Sequence, residues 1–207
     1  MERALSTRPA TTVRNLTLAV LAAWFLFAVA GSLLGVFDSE PRTPVPLGLT
    51  VVVPVAVFGA WYLTSTRFRQ FVSSLDMRLL TAAHLWRVAG VASLIRYQQG
   101  ALPGVLAIPA GCGDIAIGIT APILAWYWKP PHPRRTLIVW NVLGTLDLVL
   151  VVTLTLVASS SPVGVLAGDV STRLMGQFPF SLVPTFLVPL FLILHLISLT
   201  RLAKEEF

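Results

Sequence analysis

Apolar residues run through this chain in long unbroken blocks, not in the alternation of a half-buried strand or the narrow stripe of a surface helix. A hydrocarbon core of about 30 Å needs about 20 apolar helical residues. Six blocks qualify, at about 16–37, 47–66, 79–97, 105–128, 136–158 and 181–201. The stretches between them carry turn formers and helix breakers: "DSEPRTPVP", "QQGALPG", "KPPHPRR" and "SSSPVG". The pattern predicts an all-α fold, a polytopic transmembrane helical bundle of six spans. It forms a single transmembrane domain over residues 1–207 with the lipid bilayer as its main partner. Composition agrees: 56% of the 207 residues are hydrophobic and 12% charged, against about 25% charged in a soluble domain. Mean hydropathy is +0.81.

Charge adds an orientation. A net charge of +6 would suit nucleic acid, but the basic residues sit in short groups between apolar blocks, so no nucleic-acid partner is expected. Eleven of the fifteen lie on one side of the predicted membrane: Arg3, Arg8, Arg14, Arg67, Arg69, Arg78, Lys129, Arg134, Arg135, Arg201 and Lys204. Opposite them are Arg42 and Arg173, while Arg87 and Arg96 fall inside the third block. Positive-inside bias then puts both termini in the cytoplasm. Trp61, Tyr62, Trp126, Tyr127, Trp128 and Trp140 fall near the same interface. Arg3, Arg8 and Arg14, an apolar stretch and Ala28-Val29-Ala30 also have the layout of a signal peptide. The apolar run continues through "GSLLGVF", so a retained first helix is expected over cleavage, which would leave five spans. No internal repeat is evident. Cys112 is the sole cysteine, which excludes intrachain disulfides and thiolate clusters; it reads as an inert buried residue.

Every deep ionisable group lies in the last four blocks. Ala107, Gly111, Asp114, Gly118, Ala121 and Ala125 are spaced 4, 3, 4, 3, 4, one stripe of a helix. Small residues let membrane helices approach closely, so Asp114 is expected on the packed face. Pro109, with Gly111 and Gly113, is expected to kink or unwind the outer part of that span. His84 and Arg87 share a face of the third block; Trp140, Gly144 and Asp147 share a face of the fifth, bordered by Asn141; His195 lies on a stripe with Pro184, Val188, Phe191 and Ser198. At 1.5 Å per residue, His84 and His195 fall roughly 8–9 Å from the inner edge, Arg87 and Asp147 roughly 12–17 Å, and Asp114 and Arg96 roughly 21–26 Å. Charges in a bilayer need partners, so the expected pairs are Arg87 with Asp147 and Arg96 with Asp114, with the histidines as an inner layer. Arg87, Asp114, Asp147, Asn141, His84, His195 and Arg96 are therefore the candidate residues of a polar intramembrane binding site. Each also has a purely structural reading: an ion pair can lock two helices, a histidine can bond a neighbouring helix, and Asp114 can cap a helix restarting after Pro109.

"LPGVLAIPAGCGDIAIGITAP", followed by "LVPTFLVPLFLILHLISLTRL", resembles a group of small bacterial integral membrane proteins with a similar Leu-Pro-Gly, Pro-Ala-Gly-x-Gly-Asp and Leu-His pattern. The resemblance covers the third to sixth blocks. It implies a bacterial cytoplasmic (inner) membrane setting and brings no activity with it. No hydrolase triad, Walker loop or HExxH is present, and "GCG" follows no strand, so nothing marks an enzyme. Three functions stay open. One is a transporter-like or permeation protein, with Arg87, Asp114 and Asp147 lining a midplane site for a small ligand or ion. The second is a membrane-embedded haem-binding redox protein with His84 and His195 as axial ligands. The third is a non-catalytic assembly or interaction partner, acting as an oligomer or with a partner subunit, whose polar pairs only fix helix register.

Overall fold

The computed structural model describes residues 8–127 and 133–204. Arg3, Trp128 and Lys129, counted above on the inner side, lie outside the described residues. Those residues form helices and no strand. We label the α-helices α1 Arg8–Leu33, α2 Val45–Thr64, α3 Thr66–Ser73, α4 Met77–Ala83, α5 Val91–Gln98, α6 Gly104–Trp126, α7 Arg134–Val157 and α8 Val188–Lys204. Five stretches among the described residues are long and apolar enough to cross a membrane: Thr11–Leu33, Val45–Thr64, Gly104–Trp126, Arg134–Val157 and Val183–Lys204. The chain is thus an all-α membrane protein.

The predicted third span is helical throughout 77–98 but is not one helix. Between α4 and α5 the segment His84–Gly90 winds as a 3-10 helix. The break expected at Pro109 is absent, and α6 runs unbroken past both Pro109 and Pro122. Proline inside a membrane helix is tolerated where neighbouring helices satisfy the freed backbone. The irregularity has moved to the partner helix across the contact. There the glycines of α6 bring backbones together: a Cβ on Gly118 would lie 2.6 Å from the Val88 nitrogen and 3.1 Å from the Arg87 carbonyl carbon. Ala107, Gly111, Gly118, Ala121 and Ala125, the predicted small-residue stripe, are all buried. Cys112 is exposed, correcting its expected burial. It sits one residue from the packed stripe, about 100° around the helix, which turns it towards the hydrocarbon.

A second irregularity opens the last span. Val183–Leu187 is a π-helix. Pro189 has no N–H to offer the Thr185 carbonyl four residues earlier, and its ring crowds that oxygen. Trp24 of α1 supplies the missing donor, its Nε1 lying 3.0 Å from the Thr185 oxygen. One turn outward, the Ser181 hydroxyl donates to the Ser32 hydroxyl at 2.7 Å. These two bonds tie α1 to the last span. Elsewhere α1 stands apart from α2, and a nearly all-apolar cleft of about 750 Å³ lies among α1, α2, α3 and α8, lined in part by Leu21, Trp24, Val53, Phe58 and Ile193. The loop read between the second and third blocks contains α3. Ser65 caps it by accepting from the Phe68 N–H at 3.2 Å, and Phe68 stacks flat on Trp61 at 4.0 Å.

At the other end, α1 stops in a Schellman-type turn. The Val36 N–H reaches the Gly31 carbonyl and the Gly35 N–H that of Ser32, with Gly35 at φ 70° supplying the left-handed residue. The chain then presents Asp38 to the loop before the last span. Arg173 grips both Asp38 oxygens, at 2.9 and 3.1 Å, and Gln177 adds a third bond at 3.0 Å. These bonds, Arg173 foremost, hold the Asp38 carboxyl below its ordinary value. A depressed carboxyl stabilises above its unfolded pKa and loses that contribution as pH falls through the folded one. Asp38→Asn should therefore speed hydrogen exchange in residues 159–182 at pH 7, and the difference from wild type should shrink as pH falls below the ordinary carboxylate range. Equal exchange at pH 7 would show that the clamp does not order the loop.

Candidate functional site

The 3-10 turn sets the geometry of the polar centre. Residues three apart eclipse one another in a 3-10 helix, so His84, Arg87 and Gly90 form a straight ridge, where an α-helix would fan them out. The ridge faces α6, α7 and α8. Arg87 is 3% exposed, and His84 only 1%. The guanidinium spends its donors on three helices. Nε donates to Asp114 Oδ1 of α6 at 2.7 Å, Nη2 donates to Asp147 Oδ2 of α7, and Nη1 reaches the Gly144 carbonyl at 3.3 Å and His195 Nε2 of α8 at 3.3 Å. A planar fork with five N–H groups can hold two carboxylates at once; a lysine could not do so with the same geometry.

The histidine tautomer follows from the partners. Asn141 Nδ2 donates to the Leu137 carbonyl at 2.8 Å, which turns its Oδ1 to His195 Nδ1 at 2.9 Å. An amide oxygen only accepts, so Nδ1 carries the proton. Nε2 is then a bare lone pair, and it accepts from Arg87. His195 is neutral and fixed between an acceptor and a cation. His84 lies beneath it, ring centroids 4.1 Å apart and 29° from parallel. Trp140 edges onto His84 at 5.3 Å, and Phe191 packs on it at 5.0 Å. His84 Nδ1 is buried with no hydrogen-bond partner.

Glycine makes the convergence sterically feasible. A Cβ on Gly113 would collide with Asp147 Oδ1, and one on Gly144 would collide with the His195 ring. The glycine and aspartate of "GCGD" thus have distinct parts: Gly113 seats the carboxylate of α7, and Asp114 supplies that of α6. Both carboxylates keep a little exposure, 18% for Asp114 and 12% for Asp147, while the Arg87 side chain keeps 1%.

Of the sequence-predicted residues, six meet in one network: Arg87, Asp114, Asp147, Asn141, His84 and His195. The Arg87–Asp147 pair and the histidine layer form as expected. Arg96 does not pair with Asp114. Its Nη1 donates to Gln99 Oε1 at 2.9 Å, and its guanidinium lies 5.4 Å from the Phe180 ring. The 3-10 rise of about 2.0 Å per residue, against 1.5 Å, carries Arg96 about 3.5 Å further outward over seven residues, and the Arg87 side chain spans the depth left between the two aspartates. The histidines fit axial haem ligation poorly. Their faces are in contact, leaving no slot for a porphyrin between opposed nitrogens, and the His195 Nε2 lone pair is committed to Arg87. Among the described residues no group of three or more His, Cys, Asp or Glu is placed to hold a metal ion. Trp140 and Phe191, which spacing placed on the Asp147 and His195 faces, form the aromatic walls of the centre; the Gly144 carbonyl as an acceptor was not expected, and its place on the Asp147 face was the available signal.

Removing one member of a buried charge cluster costs about 3–5 kcal/mol. Arg87→Met should lower stability in detergent by about that much. Adding Asp147→Asn should restore only part of the loss, since Asp114 stays unpaired, and adding Asp114→Asn should restore more. Purely additive losses in thermal unfolding would show that the three side chains are not coupled.

No curated protein and no solved structure matches this chain. One family model does, over residues 44–203, from just before α2 to the end of α8 and including every residue of the polar centre. The chain belongs to that family, described as a domain of unknown function, DUF8737.

Proposed function

We propose that this is a six-span protein of the bacterial cytoplasmic membrane, with both termini inside, in which the centre around Arg87 binds a small ligand or ion and passes it across the bilayer. Residues 77–98, third in chain order, add a span to the five long helices: the pieces of 7, 7 and 8 residues reach about 36 Å end to end, more than the hydrocarbon core requires. The basic-residue bias supports the orientation, and the resemblance to small bacterial membrane proteins supports the setting.

One observation carries the functional reading. A helix lock needs one cation and one anion. Here one buried guanidinium holds two carboxylates, and His195 is held neutral, so the centre has an acidic group in excess. Ionisable groups inside a membrane are expensive, and a surplus one serves packing badly. It suits a site that gains and loses a small charged species. The irregular backbone also fits this, because 3-10 and π segments at membrane depth recur at functional sites.

The purified full chain in phosphatidylethanolamine/phosphatidylglycerol vesicles should conduct or exchange one small ion when gradients of H⁺, Na⁺, K⁺ and Cl⁻ are imposed in turn, read with trapped indicator dyes. Asp147→Asn and Arg87→Met should bring that flux to the level of empty vesicles. Wild-type flux at the empty-vesicle level for all four ions would reject the transport reading in favour of an assembly partner.

A further inference from the structure

We infer that the species bound at the polar centre is a proton, a single removable one shared by Asp114 and Asp147 around Arg87. The inference rests on the reading of this centre as a ligand site and names its ligand. Three observations lead to it.

The first is charge. Arg87 of the 3-10 segment touches both carboxylates, His195 of α8 meets Arg87, His84 stacks on His195, and Arg96 of α5 is turned to Gln99. With Arg87 positive and both aspartates ionised, the centre has a formal charge of −1. A proton on His195 cannot cancel it, because Nε2 would then point an N–H at the Arg87 Nη1 that now donates to it. A proton on His84 would be a buried cation with no acceptor at Nδ1. The carboxylates are the groups left to take it.

The second is space. Both aspartates touch the guanidinium directly, and Asp147 Oδ1 lies against Gly113 where even a methyl group would not fit. A metal cation needs several oxygen ligands at about 2.0–2.6 Å, whereas a proton needs no added volume.

The third is access. The guanidinium is sealed, but part of each carboxylate is left uncovered by the protein. The exchange balances simply. A carboxylic O–H bond breaks, the proton passes to water, and the centre goes from neutral to −1. No electron moves, and Arg87 stays charged.

Infrared spectroscopy of the full chain in lipid tests this. At pH 7 the aqueous carboxyls are ionised, so a protonated-carboxyl C=O band should report this centre alone. Wild type should show one such band, shifted in D₂O and lost reversibly as pH is raised. Asp114→Asn and Asp147→Asn should each abolish it at pH 7, because either change leaves a neutral Arg–Asp pair with nothing to neutralise. Three results would overturn the inference. One is no band at any pH, with thermal stability that depends on Na⁺ or K⁺ when choline is the control, marking a metal cation. Another is a band that survives in one single variant, marking a proton fixed on one residue. The last is a band that neither titrates nor exchanges, marking a permanently neutral lock. A normal band in a chain that moves no ion across vesicles would leave the proton site standing and reject transport, while ion flux without the band would do the reverse.

Discussion

A guanidinium cannot be deprotonated at any pH the cell reaches, and it cannot be left bare in hydrocarbon. Once Arg87 lies inside the bundle, everything around it must supply acceptors. Two aspartates, a carbonyl and an imidazole do so, from α6, α7 and α8. Membrane helices have little hydrophobic drive to associate with one another. The demand of one cation therefore does here what a hydrophobic core does in a soluble protein, and it fixes three neighbours against the 3-10 segment in depth and rotation. The apolar clusters surround this centre. Ile117, Ala121 and Trp140 pack beside it, and Val51, Leu148, Val188 and Phe191 pack nearby.

The two irregular helices answer that demand differently. The 3-10 turn straightens the ridge His84–Arg87–Gly90, so the imidazole, the guanidinium and a side-chain-free position face the same partners. It also lets the backbone at Val88 come against Gly118. The π segment leaves the Thr185 carbonyl to Trp24, which attaches α1 to a helix otherwise shared with α2 and α7. The family match begins at residue 44, so α1 lies outside the matched region. It meets the last span through two hydrogen bonds and the contact of Phe186 with Trp24 and Phe25. It supplies no residue to the hydrogen-bond network of the polar centre.

How much of this was legible follows from periodicity. Spacing alone put Gly111, Asp114 and Gly118 on one packed face, and Trp140, Gly144 and Asp147, bordered by Asn141, on another, because an α-helix has one fixed period. The same arithmetic failed where the period changed. Nothing in "HLWRVAG" marks a 3-10 turn, and the error it introduces in depth sent Asp114 to Arg96 and not to Arg87. Prolines misled in the opposite direction. Pro109 was expected to break α6 and does not, while Pro189, read only as part of an apolar block, reshapes the last span. The carbonyl that Pro189 strands is taken by Trp24, 161 residues away in sequence from Thr185, a partner that no local pattern announces.

The glycines show why the centre needs both its charges and its close packing. Low dielectric strengthens a buried ion pair and raises the cost of an unpaired ion, so small changes in distance carry large consequences. Gly113 and Gly144 remove the side chains that would hold Asp147 and His195 away from Arg87. With those seats empty Asp147 and His195 reach the guanidinium directly, and two like charges share one counter-charge. Under the proposal of a shared proton, binding it would relieve that repulsion and releasing it would restore it. The charged groups sit on the 3-10 segment, α6 and α7, so each change of protonation would change the attraction among those three segments.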